Sequence, residues 1–140
     1  MDYIPKHFQP FEVVPREVHK AFETSNQIYK IWWLFDPRIL KAADRIRDRY
    51  GRMTCNDWFW GGNNHYRGWR PPGCNVGAKY SQHRFGRALD LVPTEVTAED
   101  IRRDIKAGED FGNAVTCIED RVSWLHIDCR NYEGLLIVHP

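Results

Sequence analysis

The chain has 140 residues, 42% of them hydrophobic and 28% charged, with a net charge of +1. It is long enough for one domain with its own core and too apolar for an intrinsically disordered segment. The near-neutral balance argues against nucleic acid or an anionic membrane surface as partner, and no apolar run reaches the roughly 20 residues of a membrane-spanning helix.

Residues 1–35 read as an irregular segment packed on the domain, because Pro5, Pro10 and Pro15 interrupt any long element. The opening Met1-Asp2-Tyr3-Ile4-Pro5 lacks the basic start and apolar run of a signal peptide. Synthesis in the cytoplasm is therefore expected, with any extracellular target reached after release or on a virion. A short helix is expected within Glu17–Tyr29, and Ile31-Trp32-Trp33-Leu34-Phe35 is an apolar knot under the next helix.

Asp36-Pro37 is a helix start, with Asp as N-cap and Pro in the first turn. Ile39, Ala43, Ile46 and Tyr50 recur at helical spacing and Gly51 ends the run. Lys41, Asp44, Arg47 and Asp48 are expected on the solvated face of that helix. Met53–Trp58 reads as a strand, and Tyr66–Tyr80 as a long loop of the kind that carries function in small domains. Ala88–Val92 reads as a strand ended by Pro93. Thr97-Ala98-Glu99-Asp100 resembles a capping box ahead of a helix running to about Lys106. Ala114–Glu119 and Ser123–Cys129 are expected as strands around a two-residue turn at Arg121-Val122, with Leu135–Val138 as a terminal strand. The class expected is α+β: one domain over residues 1–140, a small antiparallel sheet with two or three helices on it.

The last hairpin carries the first functional signal. By the period-2 rule Leu125, Ile127 and Cys129 form a buried face, while Trp124, His126 and Asp128 look into a cleft. A two-residue turn sets Glu119 opposite Trp124, so Glu119 also faces the cleft. Upstream, His83 and Asp90 lie too far apart for one helical turn and suit a loop leading into a strand. Gly86 permits a turn between them and Ala88 leaves room beside Asp90. Two imidazoles and a carboxylate are good Zn²⁺ ligands, although a lone His is more often a hydrogen-bonded core or surface residue. No role is read for His7, His19, His65 or His139. None of Cys55, Cys74, Cys117 and Cys129 forms a C-x-x-C pair, which argues against a thiolate zinc site. Cytosolic synthesis favours free thiols, and pairing of Cys117 with Cys129 is left open.

The string Ser81-Gln82-His83-Arg84-Phe85-Gly86-Arg87-Ala88-Leu89-Asp90, followed by His126-Ile127-Asp128, resembles the zinc D-alanyl-D-alanine carboxypeptidase family. The wider group includes D-Ala-D-Ala dipeptidases, phage L-alanyl-D-glutamate endolysins, murein endopeptidases and the hedgehog amino-terminal domain. Gly68-Trp69-Arg70-Pro71-Pro72 and Asn75-Val76-Gly77 look like that group's turn and its lead into the histidine motif. The likeness spans Asn56 to about Arg130. It implies a hedgehog/D-Ala-D-Ala peptidase-like fold, Zn²⁺ on His83, Asp90 and His126, and Arg70 on the scissile carbonyl or its oxyanion.

The same likeness implies a metallopeptidase acting on peptidoglycan stem peptides or cross-links; the small size and the absence of a signal peptide suit a phage-type lysis enzyme, and a monomer is expected. Which bond is cut is not implied. Many members place a general base three residues before the third ligand, where Ser123 stands here. Asp128, then Glu119, are the cleft-facing carboxylates left for that task. A hedgehog-like alignment instead makes Asp128 the ligand and His126 its supporting partner. Trp58, Trp60, Trp69 and Trp124 are expected either as cleft walls or as core, and Ser81 and Gln82 as groups orienting the ligands. A zinc-bearing binding module without activity is the rival reading, kept alive by Ser123.

Overall fold

Asp36 starts the longest helix, as its sequence requires. Its carboxylate accepts a hydrogen bond from the backbone N–H of Arg38 at 2.9 Å, Pro37 opens the first turn, and Gly51 closes the run at φ 89°. This helix, α2 (Pro37–Tyr50), turns Ile39, Leu40, Ala43 and Ile46 into the core. The computed structural model describes residues 2–140. Two shorter helices flank α2 in sequence: α1 (Arg16–Thr24), which starts one residue before the Glu17–Tyr29 stretch expected to hold a helix and ends inside it, and α3 (Ala98–Lys106), which begins with the reciprocal Thr97–Asp100 capping box. The apolar knot is a 3₁₀ helix, Ile28–Leu34, that buries Ile31 and Trp32.

Five strands form the sheet: β1 (Met53–Thr54), β2 (Ala88–Pro93), β3 (Cys117–Glu119), β4 (Leu125–Asp128) and β5 (Leu136–Val138), in the order β1-β2-β4-β3-β5. The class is α+β. The sheet is mixed where an antiparallel one was expected, because β5 runs parallel to β3. The reason is topological. With β2 already on one side of β4 and β3 on the other, the chain leaving β4 reverses and takes the free edge of β3, which one reversal makes parallel.

Three further expectations need correction. Met53–Trp58 is a strand only at Met53–Thr54: Asn56 and Trp58 donate side-chain hydrogen bonds to the Val14 carbonyl at 3.0 and 2.8 Å, drawing the chain into a 3₁₀ turn, Trp58–Trp60. Asp44 is not solvated but 2% exposed, accepting hydrogen bonds from Tyr3 Oη (2.7 Å), Lys6 N (2.9 Å) and His7 N (3.2 Å). It thereby ties the amino-terminal segment to α2. The last hairpin has no two-residue turn. Cys117 pairs with Asp128 and Ile118 with Ile127, a register that sets Glu119 across from His126. The loop between is held open by buried Arg102 of α3, which donates to the carbonyls of Val122 and Trp124, each at 2.8 Å.

Leu89, Leu91, Ile118, Leu125 and Ile127 give the sheet its core face, under α2 and α3. The other face carries Ala88, Asp90, His126, Asp128, Cys117 and Glu119 by register. All four cysteines are free. Cys117 shares the Asp128 face while Cys129 belongs to the opposite one, so the two thiols point away from each other across the hairpin.

Candidate metal centre

Asp90 and His126 sit directly opposite each other on β2 and β4, so strand pairing alone brings them together. His83 comes from outside the sheet, on a 3₁₀ turn, Gln82–Phe85, capped by the Ser81 hydroxyl. Two features dock that turn. Gly86 adopts φ 68°, and its α-carbon lies so close to the Leu34 carbonyl that an added Cβ would stand 1.8 Å from the oxygen. Its own carbonyl accepts the Asp36 N–H at 2.9 Å, fastening the turn to the start of α2.

One ligand-capable atom from each of His83, Asp90 and His126 lies within 4.8 Å of the others. His83 Nε2 is 3.3 Å from Asp90 Oδ2, and His126 Nδ1 is 2.8 Å from Asp90 Oδ1. All three residues are buried. The cluster could hold a metal ion: two imidazole nitrogens and a carboxylate oxygen converge from three separate segments, and the partners behind them fix the ring orientations. His83 Nδ1 lies 2.8 Å from the Gly68 carbonyl, which can only accept, so Nδ1 carries the proton and Nε2 offers its lone pair inward. His126 Nε2 donates to Asp128 Oδ2 at 2.8 Å, which leaves Nδ1 as the inward nitrogen.

Arg67–Arg70 straps the segments carrying His83 and Asp90 together. Asp90 N donates to the Arg67 carbonyl at 2.8 Å and Arg70 N to the His83 carbonyl at 3.2 Å. Trp69 N bonds the Val13 carbonyl, whose oxygen would be 2.2 Å from a Cβ at position 68, so only glycine fits there. Arg70 itself donates through Nε to the Tyr66 carbonyl at 2.8 Å and through Nη1 to Ser81 Oγ at 3.3 Å. Its Nη2 reaches 3.6 Å from Asp90.

The electrostatics follow from burial opposed by pairing. Burial would raise the Asp90 carboxyl, but its hydrogen bond with His126 holds it well below the usual carboxylate range. Burial would lower the His126 imidazole, but Asp128 and Asp90 on its two nitrogens push it up to about 9. Asp128, also opposed by burial, is held down to about 2 by Arg130 and His126.

Over the cluster opens a cavity of about 550 Å³, lined among others by Arg70, Gln82, Glu119, Trp124 and Arg130. Family models, curated proteins and solved structures gave no match for this chain.

Of the expected tryptophans only Trp124 reaches the cavity wall, with Nε1 donating to Glu119 Oε1 at 3.4 Å. Trp58 is buried on Val14, Trp69 packs on the core, and Trp60 is exposed beside a different depression with His7 and Arg47. Asp128 is fully buried on the Nε2 side of His126, with both oxygens taken by Arg130 and His126. Glu119 Oε1 lies 3.7 Å from His126 Nδ1, on the inward side.

Sequence reasoning missed Arg130 and the Gly68 carbonyl. Arg130 was within reach of the period-2 rule, two positions beyond Asp128. Nothing in the sequence marks the Gly68 oxygen, since every residue has a carbonyl.

Proposed function

We propose that the protein is a zinc-dependent peptidase that hydrolyses an amide bond in peptidoglycan stem peptides or cross-links, as a phage-type lysis enzyme does. The single observation that carries this reading is the convergence of His83 Nε2, Asp90 and His126 Nδ1, each with its orientation fixed from behind. Three protein ligands in a cleft are the usual donor set of a catalytic rather than a structural zinc site. Zinc supplies Lewis acidity there, activating water and polarising a carbonyl.

The remaining work falls to the chain's own groups. Glu119 is the better general base of the two carboxylates considered, because it opens to the cavity on the inward side of His126. Asp128 instead supports His126, having no free oxygen for a proton from outside. Arg70, clamped by Tyr66 and Ser81, presents a fixed positive charge where an amide carbonyl would gain negative charge during attack. Ser123, which favoured an inactive binding module, loses its force as an objection once Glu119 fills that task from β3.

The test is mass spectrometry of peptidoglycan digested by the zinc-loaded protein. New amino and carboxyl termini are expected with wild type and not with His83→Ala. Glu119→Gln should keep its zinc and lose about 10²–10⁴ in kcat. Identical fragments from wild type and His83→Ala would overturn the reading.

A further inference from the structure

Residues 71–80 form one wall of the cavity over the metal centre, through Gly77, Ala78, Lys79 and Tyr80. Little holds this wall in place. Pro71 and Cys74 are half-buried, the other residues are exposed, and none joins the core. Its backbone makes two local hydrogen bonds, from Cys74 N to the Pro71 carbonyl at 3.0 Å and from Ser81 N to the Ala78 carbonyl at 3.1 Å. Among the described residues, every further hydrogen bond that ties the segment to the chain outside it comes from one side chain, Arg84. Its Nη2 donates to the Cys74 carbonyl at 2.6 Å and to that of Val76 at 3.5 Å, Nε to that of Ala78 at 3.2 Å, and Nη1 to that of Pro71 at 3.3 Å. Arg84 follows His83 on the Gln82–Phe85 turn, so one short turn both delivers a ligand and holds the wall beside it.

We infer that Arg84 is a positioning residue for substrate: it fixes residues 71–80 as a preformed wall of the cleft, so that a peptide enters a groove it does not have to order. The inference rests on the peptidase reading and adds the residue that shapes its cleft. A guanidinium is a rigid fork of five donors and can bond carbonyls arriving from several directions, which a single ammonium cannot do. A segment without buried apolar side chains opens locally at little cost, and ordering left undone in the free protein must be done on binding. The wall also backs Arg70: a Cβ at Gly77, where φ is 79°, would stand 2.3 Å from Arg70 Nη1. Drift of the loop would therefore loosen the cleft beside the arginine proposed to meet the substrate carbonyl.

The variants are Arg84→Met and Arg84→Lys, each as the zinc-loaded full chain, with zinc content and a melting curve measured on both. Two readings of the loop need no substrate: cleavage after Lys79 by a lysine-specific protease, followed by mass spectrometry, and the rate at which the Cys74 thiol takes up an aromatic disulfide. Both rates should rise at least about tenfold in Arg84→Met, the loss of charge-assisted hydrogen bonds being that large. On soluble muropeptides KM should rise about tenfold while kcat stays within about threefold, since the metal centre is untouched. Arg84→Lys keeps the charge without the fork and should recover only part of either effect. Wild-type loop rates in both variants, or a looser loop with KM unchanged, would overturn the inference. So would loss of zinc from both, which would assign Arg84 to the ligand turn instead; where only Arg84→Met loses zinc, Arg84→Lys decides. If the wild type cuts no bond the peptidase reading fails separately, and equilibrium binding of the same muropeptides decides this one: equal affinities of wild type and variant sink it.

Discussion

His126 meets a carboxylate at each ring nitrogen, Asp90 on the inward side and Asp128 behind. Only the rear contact survives unchanged if an ion takes the inward place, so Asp128 is what keeps the ring aimed. Asp128→Ala should therefore weaken zinc binding about 10–100-fold in competition with a chelator, with a melting curve recorded alongside to detect loss of fold. Unchanged affinity would deny Asp128 that role. The thiols make a second residue-scale case. Burial pushes Cys55 upward, Cys117 up to about 12 and Cys129 up to about 11, while Cys74 is only half-buried. At about pH 8 an aromatic disulfide reagent should titrate one thiol quickly and the other three only after denaturant is added. A Cys74→Ser variant that still shows a fast thiol would contradict the burial described.

At the scale of elements, the joints between segments are polar groups that reach far along the chain. Asp44 on α2 collects three donors from Tyr3, Lys6 and His7. Asp44→Ala should cost about 2 kcal/mol in denaturant unfolding, since it strands those donors in a partly buried place. A loss near zero would mean that the amino-terminal segment is not anchored there. Helical periodicity marked Asp44 as a solvent-facing charge because it reads only the helix, and the segment that covers it lies far upstream. Arg102 acts alike on the β3–β4 loop. Local turn rules favoured the tightest hairpin, whereas a guanidinium on α3 satisfies the loop carbonyls and moves the register by two residues. An even shift keeps every side chain on its face, which is why Glu119 was correctly expected in the cleft although its partner was not.

Taken whole, the molecule holds two phenols in its seams. Tyr3 and Tyr50 are each pushed up to about 12, first by burial and then by the carboxylates of Asp44 and Asp104. An unfolded chain releases these protons near the ordinary phenol value of 10.0, so between there and about 12 the folded state binds more protons. Stability from this source is full below pH 10 and falls as pH rises toward 12. Denaturation midpoints across that range should drop, and an ultraviolet titration should show two late phenols, one of which moves back toward 10 in Asp44→Ala. Midpoints that stay flat would show that neither phenol is held by the fold. Among the described residues no helix is long and apolar enough to cross a membrane.

Local chemistry by itself determined much of this protein. The Asp36-Pro37 start, the Thr97–Asp100 box, the β2 and β4 strands and the faces of Asp90 and His126 all follow from neighbours within a few residues, where dihedral preference and period-2 or helical repeats act. The trio of His83, Asp90 and His126 was legible through a likeness to a known zinc-peptidase motif, whereas strand periodicity alone marked only which face His126 takes. Only the tertiary structure decided how the trio is supported: Gly68 bonding His83, Asp128 bonding His126, and the Gly86 turn bound to the start of α2. The parallel edge strand and the occupied oxygens of Asp128 were decided there too. Such contacts join groups far apart in sequence, and they are settled by which buried polar atoms find partners once the core has closed, a sum no local pattern contains.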